Sequence, residues 1–188
     1  MKKIQYNSPV ILTYVLLCLA ALGLARLTAG RSTTLLFCVY RSSLADPLTY
    51  VRLFGHVLGH SGWQHFFSNA LYILIVGPAV EERYGSRNLL LAMGVTAFVS
   101  GAAHCVLAPG SVLLGASGIV FMLIFLASLS GMKNGCIPLT LILVAVLYLG
   151  QEVFDALFRN DGISHLTHII GGGCGTVLGF AMRGSRRK

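Results

Sequence analysis

Ser117 lies between glycines in Gly115-Ala116-Ser117-Gly118, at the head of the apolar run Ile119-Val120-Phe121-Met122-Leu123-Ile124-Phe125-Leu126. A serine hydroxyl is a weak nucleophile until a base takes its proton, and histidine is the usual base. His165 and His168 stand near the end of the chain, and His60, His65 and Asn69 nearer its middle. His65 and Asn69 are spaced i, i+4 and so share one helix face. Both can donate hydrogen bonds. With the Ser117 backbone N–H they form the donor set that a tetrahedral acyl-transfer intermediate needs. His168, Gly171 and Gly175 also fall on one face, with the glycines just below the imidazole. That face can press against the Gly115/Gly118 side of the serine's helix. His165 shares the face one turn earlier, and spacing alone leaves both histidines open as the base. Taken singly, a serine among small residues is ordinary packing material for membrane helices. The joint placement of serine, histidines and asparagine is what points to acyl transfer.

These residues need elements to position them. The chain has 188 residues, 55% hydrophobic and 11% charged, with a mean hydropathy of +0.78. A soluble domain carries about 25% charged residues, so the composition is that of an integral membrane protein. The length suits one compact bundle without a separate soluble domain. Met1-Lys2-Lys3 before an apolar run has the look of a signal peptide, but no convincing small-x-small cleavage site follows, and we read the run as the first membrane helix.

A span needs about 20 apolar residues. Six runs meet or approach that length, at about 9–27, 63–80, 89–108, 115–129, 137–158 and 165–182. Pro109-Gly110 and Gly131-Met132-Lys133-Asn134-Gly135 separate three of them. The expected fold is therefore all-α, a polytopic bundle of six transmembrane helices forming one domain over 1–188. Residues 31–62, between the first two runs, are mixed in character. They are expected to form one or two short helices lying in the membrane interface.

With the N-terminus inside, nine of the fourteen lysines and arginines fall on the cytoplasmic side and five (Arg26, Arg31, Arg41, Arg52 and Arg159) on the outer side. This satisfies the positive-inside rule with both termini cytoplasmic. The net charge of +8 is thus a topology signal with some contact to anionic lipid, and not a nucleic-acid groove. The second, fourth and sixth runs all begin at the outer face. At about 1.5 Å per residue, Asn69, Ser117 and His168 come out at one depth, within about 10 Å of the outer ends. Polar side chains in a bilayer face the bundle interior or a water-filled cavity.

Other polar residues have blander readings. His56 and His60 are read as fixing the first loop against the bundle, and His104 as structural. Glu152 and Asp155 are read as a solvated rim at the outer end of the fifth run. Five scattered cysteines, Cys18, Cys38, Cys105, Cys136 and Cys174, show no metal or disulfide spacing and read as small core residues.

On these residues the chain resembles the rhomboid family of intramembrane serine proteases, in its minimal six-helix bacterial form. The matching motifs are His60-x4-His65-x3-Asn69, Gly115-Ala116-Ser117-Gly118 and His168-x2-Gly171-x3-Gly175. Glu81-Glu82-Arg83-Tyr84-Gly85 is similar to the family's acidic–basic turn after the second helix. The resemblance implies Ser117 as nucleophile and His168 as general base, a dyad without an aspartate. It implies His65 and Asn69, with the Ser117 amide, as oxyanion stabilisers, and His60 as a supporting residue at the rim. It makes the first loop a membrane-embedded hairpin, and the fifth helix and the loop near the entrance of the fourth a gate and cap. Substrates would be single-pass membrane proteins cut in or near the membrane segment, at a site opening to the outer face of a bacterial inner membrane. No metal or cofactor is implied, and oligomeric state is left open. The chain departs from the family pattern in carrying Val51-Arg52 where many members have Trp-Arg, and Phe121 where many have tyrosine. No cytosolic N-terminal domain is expected.

Two rival readings remain. A metal-dependent intramembrane protease or metal transporter would use His60, His65, His104, His165 and His168, but HExxH is absent and no carboxylate stands among these histidines. A catalytically inactive rhomboid-like binding or quality-control protein is disfavoured by the presence of both serine and histidine.

Overall fold

A computed structural model describes residues 6–131, 136–149 and 163–183. Its elements are α1 (Pro9–Leu27), a π-helical turn (Thr33–Phe37), α2 (Pro47–Gly55), a 3-10 turn (His56–Leu58), α3 (Trp63–Tyr84), α4 (Ser86–Leu107), α5 (Ser117–Ser130), α6 (Leu139–Val144), a π-helical turn (Ala145–Leu149) and α7 (Ile163–Arg183). Among the described residues the fold is all-helical apart from one isolated antiparallel bridge, Val39 to Leu113. Helices α1 and α4 are long and apolar enough to cross a membrane.

The short helix α5 is the centre of the bundle. Ile119, Met122, Leu123 and Leu126 are fully buried, and α3, α4, α6 and α7 all pack on it. A helix that is apolar all round has no solvent face to offer, so burial on every side is its stable placement. Ser117 is its first residue, with α3 and α7 reaching the glycines on either side through His65 and Thr167.

The expected end of the second run at Val80 is four residues short, because α3 continues to Tyr84. The reason is Glu81, which is buried. Its carboxylate accepts the backbone N–H groups of Val10 at 3.1 Å and Ile11 at 3.0 Å, and the Ser86 hydroxyl at 2.7 Å. The first N–H groups of a helix lack intrahelical partners, and a carboxylate there also meets the positive end of the helix dipole. Glu81 thus caps α1 from α3 and ties the two helices together. Gly85, at φ +84°, then turns the chain into α4.

The segment between α1 and α3 is folded, with α2 and two short helical turns. Asp46-Pro47 starts α2 as a helix should: the Asp46 carboxylate caps the Leu48 N–H at 2.9 Å, and proline takes the first helical position. Arg52, almost fully buried, pairs with Asp46 at 2.6 Å, donates to Ser42 at 3.0 Å and lies over the Tyr40 ring at 4.6 Å. Where many family members have Trp-Arg, Arg52 gathers the loop together with Thr49, which bonds Ser42 and the Ser43 carbonyl, and Val51 is exposed.

The fifth run is described only in part, as α6 and the π turn that continues it. Its inner contacts run through Leu141 to Phe121, Phe125 and Leu129 of α5. The remainder of that run, with Glu152 and Asp155, and Arg159 beyond it lie outside the described residues.

Candidate active site

The approach to Ser117 is fixed before the helix begins. The Gly115 N–H donates to the His56 carbonyl at 3.0 Å, and the Val39–Leu113 bridge holds the strand-like stretch just upstream. Gly115 adopts φ +135°, a conformation that side-chain-bearing residues rarely reach. It also has no room for a side chain. A Cβ there would lie 2.9 Å from Cε1 and 3.0 Å from Nε2 of His65, and 3.9 Å from the Ser117 hydroxyl oxygen. The Cε1–Nε2 edge of His65 and the Ser117 hydroxyl thus border one point in space. Ser117 opens α5, so its own N–H belongs to the unpaired first turn and to the positive end of the dipole.

His65 is in the first turn of α3, and its Nδ1 faces back to Ser61, 3.1 Å from the hydroxyl and 3.5 Å from the backbone N–H. Asn69, buried one turn on, donates one amide hydrogen to the His65 carbonyl at 2.9 Å; its second is not engaged in that bond. His60 sits beside them, its ring edge-on to His65 at 5.1 Å and to Phe66 at 5.5 Å. His60 Nδ1 lies 3.1 Å from the Leu58 carbonyl. A carbonyl only accepts, so Nδ1 carries the hydrogen of the neutral ring. Burial and the neighbouring His65 bring the His60 pKa down to about 4, so this ring is neutral across the physiological range.

From the other side α7 comes in against α5. A methyl at Gly171 would be driven into the Gly118 carbonyl, and one at Gly175 would lie 2.5 Å from the Met122 carbonyl. The two backbones are therefore in direct contact, as the glycine spacing requires. Thr167 closes over Gly118. His168 is stacked on Phe121, with ring centroids 4.5 Å apart and planes within 9°. Phe121 is one helical turn after Ser117, on the same face of α5. His165 is buried one turn before His168, the rings edge-on at 6.4 Å.

The other two histidines lie apart from this cluster. His56 Nε2 is 3.3 Å from the Ser100 hydroxyl, and His104 Nε2 is 3.1 Å from the Ser111 carbonyl. Both join the loops that flank the site to α4. Among the described residues no three His, Cys, Asp or Glu side chains gather in a way that could hold a metal ion.

The sequence reading missed two supports of the site. Ser61 was legible in principle, because it precedes His65 by four residues. The His56 carbonyl bond to Gly115 was not, since a backbone acceptor carries no residue signature.

Fold and site together define an all-helical membrane protein in which a serine opens a buried helix, the His65 imidazole borders the point beside it, and the His168 imidazole stacks on the same helix one turn further on. Residues 47–185 match the Rhomboid domain family model, and the chain belongs to the rhomboid family. It is 29% identical over 178 residues to "Rhomboid protease GlpG" of Serratia proteamaculans (strain 568), covering 93% of this chain and 61% of that protein. It is 32% identical over 141 residues to "Rhomboid protease GlpG" of Enterobacter sp. (strain 638), covering 73% of this chain and 50% of that protein. A mouse relative, "Rhomboid-related protein 2", is 26% identical over 160 residues, covering 74% and 53%. The chain thus spans about 50–61% of the length of these relatives.

Proposed function

We propose that this protein is an intramembrane serine endopeptidase that cleaves single-pass membrane proteins in or near their membrane segment. The observation that carries the reading is the convergence at Gly115: the His65 edge and the Ser117 hydroxyl border it, while the His168 ring rests on Phe121 one turn below the serine. The relatives named as proteases add to it.

In this reading the Ser117 hydroxyl attacks the scissile carbonyl, and His168 takes its proton as general base. The carbonyl oxygen becomes an oxyanion, met by the Ser117 N–H, the Nε2–H of His65 and the second amide hydrogen of Asn69. Such donors stabilise charge only where it develops, and removal of one typically costs about 100-fold or more in rate. Collapse of the intermediate breaks the C–N bond, and His168 returns the proton to the leaving amine. Water then attacks the acyl-enzyme with His168 again as base, freeing the second fragment and restoring Ser117. Gly115 leaves the approach to the carbonyl open, and Gly171 with Gly175 brings the base close enough to act.

The topology that goes with this mechanism has six spans, both termini in the cytoplasm and the site opening to the outer side. The first-loop helices lie in the interface, and the fifth helix and the loop near the entrance of the fourth act as gate and cap.

The test is covalent labelling. A fluorophosphonate probe should label the folded protein at Ser117 in detergent. Labelling should vanish in Ser117→Ala and His168→Ala and persist in His165→Ala, which assigns the base. A folded protein that takes no label at Ser117 would sink the protease reading and favour the inactive, substrate-binding alternative.

A further inference from the structure

We infer that Ser61 is a positioning residue that fixes the tautomer and ring orientation of His65. The inference rests on the oxyanion role proposed for His65 and adds the device that makes that role chemically available.

A neutral imidazole has one N–H and one bare nitrogen, and which nitrogen carries the hydrogen is set by the partner of the other. His65 can donate to an oxyanion beside Gly115 only from Nε2, because that is the nitrogen at 3.0 Å from the Gly115 Cβ position. Nε2 carries the hydrogen only if Nδ1 is held as an acceptor. Two groups of Ser61 converge on Nδ1, the hydroxyl at 3.1 Å and the backbone N–H at 3.5 Å. A hydroxyl can donate or accept, but a backbone N–H can only donate. An N–H on Nδ1 would point at that backbone hydrogen. The pair together therefore selects a bare Nδ1 and a protonated Nε2.

The neighbouring ring shows the selection is local. His60 Nδ1 faces a carbonyl, which only accepts, so His60 carries its hydrogen on Nδ1. The rings stand 5.1 Å apart and carry their hydrogens on different nitrogens, Nδ1 in His60 and Nε2 in His65. Chain geometry makes the arrangement possible. Ser61-Gly62 immediately precedes α3, so Ser61 is one turn before His65 and reaches back over its ring. The Ser61 side chain is exposed, so its loss removes the hydroxyl without opening a hole in the core. The backbone N–H remains in every variant, at a length where it is the weaker of the two donors.

The experiment compares the parent with Ser61→Ala and Ser61→Thr, using a fluorogenic transmembrane peptide for kinetics and 15N NMR of histidine-labelled protein for the tautomer. In the parent, the His65 signals should report a bare Nδ1 and a protonated Nε2. Ser61→Ala should shift them toward a tautomer mixture and lower kcat about tenfold with KM little changed, as expected for a donor that acts in the transition state. Ser61→Thr keeps the hydroxyl and should restore both readouts. The inference is overturned if Ser61→Ala leaves the 15N pattern unchanged, or if Ser61→Thr fails to restore a pattern that Ser61→Ala has lost. A parent with the stated tautomer but no peptide hydrolysis or Ser117 labelling would overturn the protease reading and leave the tautomer assignment standing. A parent that hydrolyses with Ser61→Ala unaffected in kcat would do the reverse.

Discussion

The imidazole of His168 lies parallel to the Phe121 ring, with centroids 4.5 Å apart and planes 9° apart. Phenylalanine has no hydroxyl, so what Phe121 offers the imidazole is its face. Stacked rings of this kind contribute about 0.5–1.5 kcal/mol beyond their area burial. Phe121→Ala removes the platform and should lower kcat about tenfold, because a base that wanders from its geometry loses much of its effect. Phe121→Tyr keeps the platform and should stay within a few-fold of the parent. Steady-state hydrolysis of a transmembrane peptide reads both. Equal activity in Phe121→Ala and the parent would show that the stacking does not orient the base.

The contact between α5 and α7 is made by backbone. Gly171 faces the Gly118 carbonyl, whereas Gly173 on the same helix has open space where a methyl would stand. Gly171→Ala should destabilise the protein by about 1–3 kcal/mol, the usual cost of overpacking. Gly173→Ala should be neutral or slightly stabilising, since alanine is the better helix former. Thermal unfolding in detergent gives the comparison. Similar midpoints for the two variants would mean the helices can separate at no cost.

Asp46 and Arg52 offer a prediction outside the spans. The Arg52 guanidinium, helped by the Leu48 N–H, holds the Asp46 carboxyl below its ordinary value of 3.8. A carboxylate with a lowered folded pKa contributes stability that is present above the unfolded value and lost as pH falls through the folded one. The parent should therefore lose thermal stability below about pH 4, and Asp46→Asn should flatten that part of the profile while lowering the midpoint at neutral pH. A variant with the parent's profile would show that the ion pair does not anchor the loop.

How much of this was legible in the sequence depends on the residue. Ser117, His65, Asn69 and His168 could be named because polar groups are costly in apolar runs, and the depths of Asn69, Ser117 and His168 could be counted at a fixed rise per residue. Gly171 and Gly175 could be paired with the serine's helix because small residues at helical spacing mark a close approach. Glu81 could not. At the edge of an apolar run a carboxylate reads as the end of a span, and only the fold reveals that it caps α1 seventy residues earlier in the chain. Arg52 was equally hidden: in a mixed loop a lone arginine reads as a solvated charge, and nothing in its spacing ties it to Asp46, which the fold places at the start of the same helix. Tautomers were out of reach altogether, since they depend on which groups approach each ring nitrogen, the Leu58 carbonyl at His60 and Ser61 at His65, and only the fold brings those together.

His60 sets an acid limit. Burial and the adjacent His65 lower its pKa from 6.5 to about 4. The unfolded chain then takes up a proton first as pH falls. Stability from the neutral, buried ring is fully present above pH 6.5 and is lost as pH drops to about 4, below which both states are protonated. His56, buried against α4 beside His104 and lowered to about 3, adds a second window of the same sign that extends further down. The thermal midpoint should therefore fall steadily from pH 6.5 toward pH 4. His60→Gln, which cannot take up a proton, should reduce that slope, and His60→Gln with His56→Gln should reduce it further. Each variant should also melt lower than the parent at neutral pH, because glutamine replaces neither ring against its neighbours. A slope unchanged in His60→Gln would show that His60 is as easily protonated folded as unfolded, and that the rim of the site is open to water.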